Sequence, residues 1–360
     1  MTTVSSCLIV KNERNNIRPC IESIIPFSDQ IIIYDTGSND GTQDICKEYS
    51  EVTLVQGELN DDFSWARNQS FSYATGDYIF WLDADDIIDR NTINQILIMK
   101  DKGFEDYDVL YLKYKYDQLG TQFFYRERFV KRSLNLKWIE KRHEVIYVPK
   151  GVSCYFFDEK YYITHTKKHE TGTNLERFEY FKNKDLKNEI YSGRDYYAYG
   201  LEAFAQCEFK TSKYAFQKAI ECEDLDVSLK ALAYKHITDF YLMKGETENA
   251  LKALLQAVAL TKMPRPDICC KLGDIYLNNG VNEMALMWYE CALKGKPRDQ
   301  LEYNFVLTSE FTTYPALQAC VASYKLGDID KSKYYNDLAL TFDPDNQAAI
   351  SNKNLFAHIN

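Results

Sequence analysis

Tyr78-Ile79-Phe80-Trp81-Leu82-Asp83-Ala84-Asp85-Asp86 passes from five apolar residues directly into three carboxylates. A short apolar run bounded by a polar turn reads as a buried strand, and the turn sets its side chains at the strand's carboxyl end. The surrounding sequence repeats the arrangement. Cys7-Leu8-Ile9-Val10 runs into Lys11-Asn12-Glu13, and Gln30-Ile31-Ile32-Ile33-Tyr34 runs into Asp35-Thr36-Gly37-Ser38. Val52-Thr53-Leu54-Val55 is a further apolar run, and 14–25, 40–49 and 64–75 have helical character between the runs. Asp40, followed by Gln43, has the form of a helix N-cap. Strands alternating with helices predict a parallel sheet covered on both faces, whose ligands bind outside the carboxyl ends of the strands. Acidic ends recurring on one rim mark that rim as the candidate site.

From about 107 the pattern changes. Val109-Leu110-Tyr111-Leu112, Phe123-Phe124-Tyr125 and Val145-Ile146-Tyr147-Val148 read as strands joined by short loops, an antiparallel extension of the same domain. One more apolar strand within 155–165 ends at His165. Residues 1–173 are thus expected to form one α/β domain, and 174–360 an all-α one. In the latter, Phe216…Ala219, Leu254…Ala257 and Tyr289…Ala292 repeat a large-x-x-Ala step, with the alanines 38 and 35 residues apart. That is near the tetratricopeptide period. Gly245, Gly280 and Gly327 recur at the turns between paired helices, and Gly200 and Gly273 share a register. Three repeats and a degenerate fourth at 316–349 account for the region; an unspecific helical bundle is the alternative.

The net charge of -10 argues against non-specific nucleic-acid binding. The charge is uneven. Arg126, Arg128, Lys131, Arg132, Lys137, Lys141 and Arg142 crowd one segment with only Glu127 and Glu140 against them. That segment reads either as a solvated strand edge or as a contact for a phosphorylated ligand. The ten cysteines form no CxxC pair, and most, including Cys7, Cys46, Cys207 and Cys291, sit in apolar patterns. They read as buried small hydrophobes in a reducing compartment, and no zinc spacing is present. The start lacks the basic region of a signal peptide, and no run approaches the 18 apolar residues of a membrane span. The expectation is a soluble, cytoplasmic protein.

Asp83-Ala84-Asp85 is a D-x-D turn. Diphosphate leaving groups need charge neutralisation, and hard divalent cations take carboxylate oxygens. Together with Val10-Lys11-Asn12-Glu13, Asp35-Thr36-Gly37-Ser38 and Asp61-Asp62-Phe63-Ser64-Trp65-Ala66-Arg67-Asn68, this turn resembles the family 2 glycosyltransferases. The order and spacing fit throughout residues 4–90; beyond them lie Arg142-His143-Glu144 and Ile163-Thr164-His165. Similar late motifs occur in the branch that carries tetratricopeptide repeats, which the bacteriocin S-glycosyltransferases also resemble.

The resemblance implies a GT-A type, Rossmann-like mixed sheet followed by helical repeats. It implies that Ile9, Val10, Asn12 and Glu13 border the nucleotide, and that Asp35 accepts from the base N–H. Arg67 would approach base or phosphates, Asp83 with Ala84 the ribose, and Asp85 with His165 the metal, Mn²⁺ or Mg²⁺. Asp35 suits uracil, which offers one ring N–H to a group that only accepts. Lys11 stands where many members carry a stacking tyrosine. Asn12 as a turn residue and Asp35 as a helix cap are the structural alternatives. Displacement with inversion needs a base for the acceptor proton, and Glu144 is the local candidate. Its structural alternative is an ion pair with Arg142 or Lys141. His143 could orient sugar or phosphate; His169 is a further late histidine.

The implied activity is that of an inverting hexosyl- or N-acetylhexosaminyltransferase. Its donor would be a nucleotide-sugar, UDP-glucose or UDP-N-acetylglucosamine, and its acceptor a protein, peptide or envelope glycan. The repeats would hold the acceptor or form a homodimer. A non-catalytic scaffold is the competing reading. A nucleotidyltransferase is a third, but the glycine-rich loop it needs after the first strand is absent from Lys11-Asn12-Glu13-Arg14.

Overall fold

A computed structural model describes residues 2–60, 62–115, 123–141, 144–149, 151–158, 160–166, 173–190, 192–295 and 308–358. The chain divides into two compact units, 1–170 and 171–360. Among the described residues no helix is long and apolar enough to cross a membrane.

The first unit contains strands β1 (Val4–Val10), β2 (Gln30–Asp35), β3 (Val52–Gln56), β4 (Tyr78–Trp81), β5 (Asp86–Ile88) and β6 (Val109–Lys115). It continues with β7 (Phe123–Lys131), β8 (Trp138–Ile139), β9 (Val145–Ile146), β10 (Cys154–Phe156) and β11 (Tyr162–His165). Its helices are α1 (Ile17–Ile24), α2 (Thr42–Lys47), α3 (Phe63–Ser72) and α4 (Arg90–Asp101). The sheet order is β3-β2-β1-β4-β7-β6-β11-β5, with β10 also on β6. β3, β2, β1 and β4 run parallel, so their carboxyl ends share one rim. β7 is antiparallel to both neighbours, whereas β10 and β11 run parallel to β6. The expected antiparallel extension is therefore a mixed one.

Strand alternation divides the apolar side chains between two cores. Leu8, Ile31, Ile33 and Phe80 pack with Ile17, Ile21 and Ile24 of α1 and Ile96 of α4. Cys7, Ile32, Ile79 and Trp81 pack on the other face with Phe71 of α3, Trp138 and Ile146. β7 lies between β4 and β6, so the basic segment that starts on it is not a sheet edge, and Arg128 is buried. Asp40 accepts the Thr42 N–H at 3.0 Å, but Gly41, at φ 96°, occupies the N-cap position of α2.

The described residues of the second unit form only helices and turns: α5 (Thr173–Leu186), α6 (Gly193–Ala205), α7 (Phe209–Glu221), α8 (Val227–Met243), α9 (Thr247–Leu260) and α10 (Pro266–Asn278). α11 (Asn282–Leu293), α12 (Thr313–Lys325), α13 (Ile329–Phe342) and α14 (Gln347–Phe356) follow. These are tetratricopeptide-like helix pairs, α6/α7, α8/α9, α10/α11 and α12/α13, and the fourth is as complete as the others. The large-x-x-Ala step is the packing rule of the first three; in the fourth, buried Asn336 stands three residues before Ala339. Phe216, Leu254 and Tyr289 are fully buried, as are Ala219, Ala257 and Ala292. A Cβ at Gly200 would lie 2.7 Å from the Phe216 ring, and one at Gly273 would lie 2.5 Å from that of Tyr289. Opposite the smaller Leu254, the position in the same register is Thr238, also buried.

Gly245, Gly280 and Gly327 adopt φ of 73°, 76° and 81° at the turns within the pairs. In each, the next N–H closes back on the helix, as from Glu246 to the Tyr241 carbonyl at 2.8 Å, which is the Schellman arrangement. The first pair makes the same turn with Cys207 at φ 60°, and Glu208 N–H reaches the Ala203 carbonyl at 2.9 Å. Cys207 is exposed rather than the buried hydrophobe its surroundings suggested; Cys7 and Cys46 are buried, and Cys291 is half-buried. A left-handed conformation costs an L-residue about 1–2 kcal/mol, less what glycine loses in entropy. Cys207→Gly should therefore stabilise the helical unit by about 1 kcal/mol in denaturant unfolding. No gain, or a loss, would contradict that account.

Candidate active site

At the carboxyl end of β4, Asp83 and the later Glu144 meet on Arg67. Asp62 caps α3 by accepting the Trp65 N–H at 2.9 Å, which starts the helix and puts Arg67 on its buried side. The Arg67 Nη2 donates to Asp83 Oδ1 at 2.6 Å, and its Nε donates to Glu144 Oε1 at 3.0 Å. The guanidinium lies 5.0 Å from the Trp81 ring centroid and 4.6 Å from that of Trp138. Burial works against the Arg67 charge, and Asp83 and Glu144 outweigh it, so its pKa is raised. Burial likewise opposes ionisation of Asp83, but Arg67 and Arg128 hold it below the usual carboxylate range. The ion-pair partner of Glu144 is thus Arg67, 77 residues earlier, and not Lys141.

Past Trp81 the chain turns, with Asp86 N–H donating to the Asp83 carbonyl at 3.0 Å, and restarts as β5. β5 is antiparallel to β11, with Asp86 directly opposite His165. Asp86 is fully buried. Its Oδ1 accepts the Tyr114 hydroxyl at 2.9 Å and lies 3.1 Å from His165 Nδ1. Its Oδ2 is 3.5 Å from Arg128 Nη2. Asp85 Oδ1 lies 3.7 Å from the same His165 nitrogen. Asp85, Asp86 and His165 each offer a ligand atom, all within 4.8 Å of one another. Burial, with the like charges of Asp83, Asp86 and Glu13, pushes the Asp85 carboxyl up to about 6. A group of mutually repelling carboxylates beside an imidazole is a donor set that fits a divalent cation. Asp86 is committed to Tyr114 and Arg128, and it meets His165 on the same Nδ1 that faces Asp85.

The nucleotide-side residues are placed by the β1 and β2 ends. Val10 pairs with Asp35, and Ile9 is partly exposed on the same rim. Asn12 adopts φ 57°, donates its N–H to Ser38 Oγ and accepts the Asn39 N–H, each at 2.9 Å. It thus fastens the loop after β1 to the loop after β2. Glu13 accepts from Asn16 and its N–H reaches Thr42. Asp35 is buried; its Oδ1 accepts from Gly37 and Ser38 N–H, both at 2.7 Å. Its Oδ2 is enclosed with no hydrogen-bond partner among the described residues. Ala84 is buried, and Lys11 is exposed. Asp61, Arg142, His143 and His169 lie outside the described residues.

Sequence reasoning missed the aromatic frame. Arg126 and Arg128 approach the Trp81 ring at 4.8 and 3.9 Å, so three arginines surround one indole beside Asp83. Their period-two spacing on a strand was the available signal. Trp81 donates its indole N–H to the Glu127 carbonyl and packs edge-on to Trp138 at 4.7 Å.

Residues 5–162 match the family described as glycosyl transferase family 2. This unit is a family 2 glycosyl transferase domain. Over 144 residues the chain is 28% identical to the SPbeta prophage-derived glycosyltransferase SunS of Bacillus subtilis, covering 39% of this chain and 34% of the relative. A TPR repeat-containing protein of Synechococcus elongatus is 43% identical over 86 residues, 24% of this chain and 21% of the relative. The chain therefore matches about a third or less of the length of these relatives. Among solved structures, S. aureus TarS 1–349 in complex with UDP aligns with 96% of this chain and 92% of its own, at 12% identity and a TM-score of 0.37.

In this transferase domain Asp85 and Asp86 should differ sharply in what they do for stability. Removing Asp86 takes away the carboxylate paired with buried Arg128, so Asp86→Ala should destabilise by about 3–5 kcal/mol. Asp85 has a folded pKa above its unfolded value, so its contribution is present at low pH and lost as pH rises through about 6. Asp85→Asn should thus be the more stable protein at pH 7, by about 1–2 kcal/mol, with the advantage fading towards pH 4. Denaturant unfolding of the wild type and both variants across that range checks the signs; equal losses at Asp85 and Asp86 would refute the division.

Proposed function

We propose that the chain transfers a sugar from a UDP-sugar, with inversion at the anomeric carbon and the help of a divalent cation, to a polypeptide or glycan acceptor. The observation that carries this reading is Arg67 joining Asp83, at the D-x-D turn, to Glu144, beside the Asp85–Asp86–His165 donor set. Asp35 Oδ2 would accept the uracil N–H once its enclosure opens, Asp83 would take the ribose hydroxyls, and Ile9, Val10, Asn12, Glu13 and Ala84 would line the nucleotide. Asp85 and His165 would hold Mn²⁺ or Mg²⁺. When bound, the cation neutralises charge developing on the diphosphate. Arg67 and Arg126 add positive charge on the same side.

In the transfer step an acceptor O–H, S–H or N–H attacks C1 opposite the diphosphate. The C1–O bond breaks with its electron pair leaving on the diphosphate oxygen, and Glu144 takes the acceptor proton. A single displacement needs no glycosyl-enzyme intermediate, and inversion follows from it. The helical repeats would hold the acceptor, a role that suits a quasi-linear array with an extended surface.

A screen of UDP- and GDP-sugars for binding and slow hydrolysis, with and without Mn²⁺, tests the donor. UDP-glucose or UDP-N-acetylglucosamine should be selected, EDTA should abolish turnover, and Asp85→Ala should nearly do so while the fold persists. Full turnover in a metal-free preparation would remove the cation from the mechanism. Glu144→Gln should lower turnover by roughly 10²–10⁴-fold with little change in donor affinity. Turnover near wild type would place the base elsewhere.

A further inference from the structure

We propose that Asn68 is a positioning residue for the transfer step: through it, α3 fixes the segment that carries Glu144. This rests on Glu144 being the base. Asn68 follows Arg67 on α3, and its amide binds the backbone of Trp138 twice. Nδ2 donates to the Trp138 carbonyl at 2.9 Å, and Oδ1 accepts the Trp138 N–H at 3.0 Å. The side chain thereby supplies to β8 the two bonds that another strand would supply. A second fastening lies at the start of the same helix, where Phe63 N–H donates to the Lys141 carbonyl at 2.9 Å. Both ends of Trp138–Lys141 are therefore tied to α3.

The tie reaches Glu144 through a short chain of contacts. β8 pairs with β9, Ile139 opposite Val145, and Glu144 immediately precedes Val145. Trp138 itself is wedged between the Arg67 guanidinium at 4.6 Å, the Trp81 ring at 4.7 Å and the Phe71 ring at 6.0 Å. Consecutive residues of one helix turn thus have separate duties. Arg67 holds the Glu144 carboxylate, and Asn68 holds the backbone from which that carboxylate extends.

An amide of this length is required. A side-chain amide presents an uncharged donor and acceptor side by side in one plane, and glutamine is a methylene too long. Aspartate keeps the acceptor and loses the donor; leucine, of similar size, loses both. A general base displaced by about an ångström can lose on the order of 10²-fold in rate. A weakened tie should therefore appear in turnover rather than in nucleotide binding.

The test uses the full chain, Mn²⁺, and hydrolysis of the UDP-sugar selected by the donor screen. Asn68→Leu should lower kcat by roughly 10–100-fold, with affinity for UDP within about threefold of wild type. Asn68→Asp should fall between the two, and it serves if the leucine variant folds poorly. In a Glu144→Gln background, Asn68→Leu should cost less than about twofold more, because both act through one group. Amide hydrogen exchange across 138–146 should quicken in Asn68→Leu and not in Glu144→Gln. Unchanged exchange there overturns the anchoring. The same rate loss with and without Glu144, or UDP affinity falling in step with kcat, overturns the catalytic role. Wild-type turnover in Glu144→Gln alone refutes the base assignment and the catalytic half of the proposal with it; the anchoring half is then decided by exchange.

Discussion

A single buried guanidinium organises the transferase domain. Arg67 lies against the indoles of Trp81 and Trp138 and joins a carboxylate from the end of β4 to one that precedes β9. Moving an arginine out of water is expensive, and only close, hydrogen-bonded countercharges make it tolerable. The sequence must therefore deliver two acids, from positions 83 and 144, to one point. The strand order, the Asp62 cap that starts α3 and the β8–β9 hairpin all satisfy that requirement.

Three acids within four residues of sequence have three separate environments. Asp83 faces Arg67, Asp85 faces its own kind, and Asp86 is enclosed with Tyr114, Arg128 and His165. The separation comes from the turn between β4 and β5, which sends successive side chains towards different neighbours. Asp86 is a structural acid that fixes the histidine, whereas Asp85 is kept under electrostatic stress. Stress of that kind is characteristic of groups retained for binding rather than for folding.

Much of this was legible in sequence because it is local. Apolar runs of buried-strand length located β1, β2, β3 and β4, and the polar residues after three of them located the rim. The repeat period likewise gave the helix pairs, since three of the four bury a Phe, Leu or Tyr with an alanine. What was not legible is what depends on pairing across the chain. The neighbour of Glu144 was sought among adjacent lysine and arginine, but Arg67 pairs with it. Arg128 read as an exposed edge residue because nothing nearby announces that β7 will be inserted between β4 and β6. Asp86 opposite His165 is a matter of register between strands 79 residues apart. Cys207 is instructive in a different way. Its place, 38 residues before Gly245, was available from the period, but its residue type concealed the turn.

The size matching in the helical unit is internal to each pair. Gly200 and Phe216 belong to α6/α7, Thr238 and Leu254 to α8/α9, and Gly273 and Tyr289 to α10/α11. A large side chain finds its complement 16 residues earlier, in its own pair. Each pair thus carries its own small-to-large fit, while seams such as Phe216 stacked on His236 at 4.8 Å join it to the next pair. A module can be gained or lost only where the seam it leaves is refilled by a side chain of matching size, as His236 fills the seam against Phe216. The length of the array is therefore set by two fits at once, one inside each pair and one at the seam between pairs.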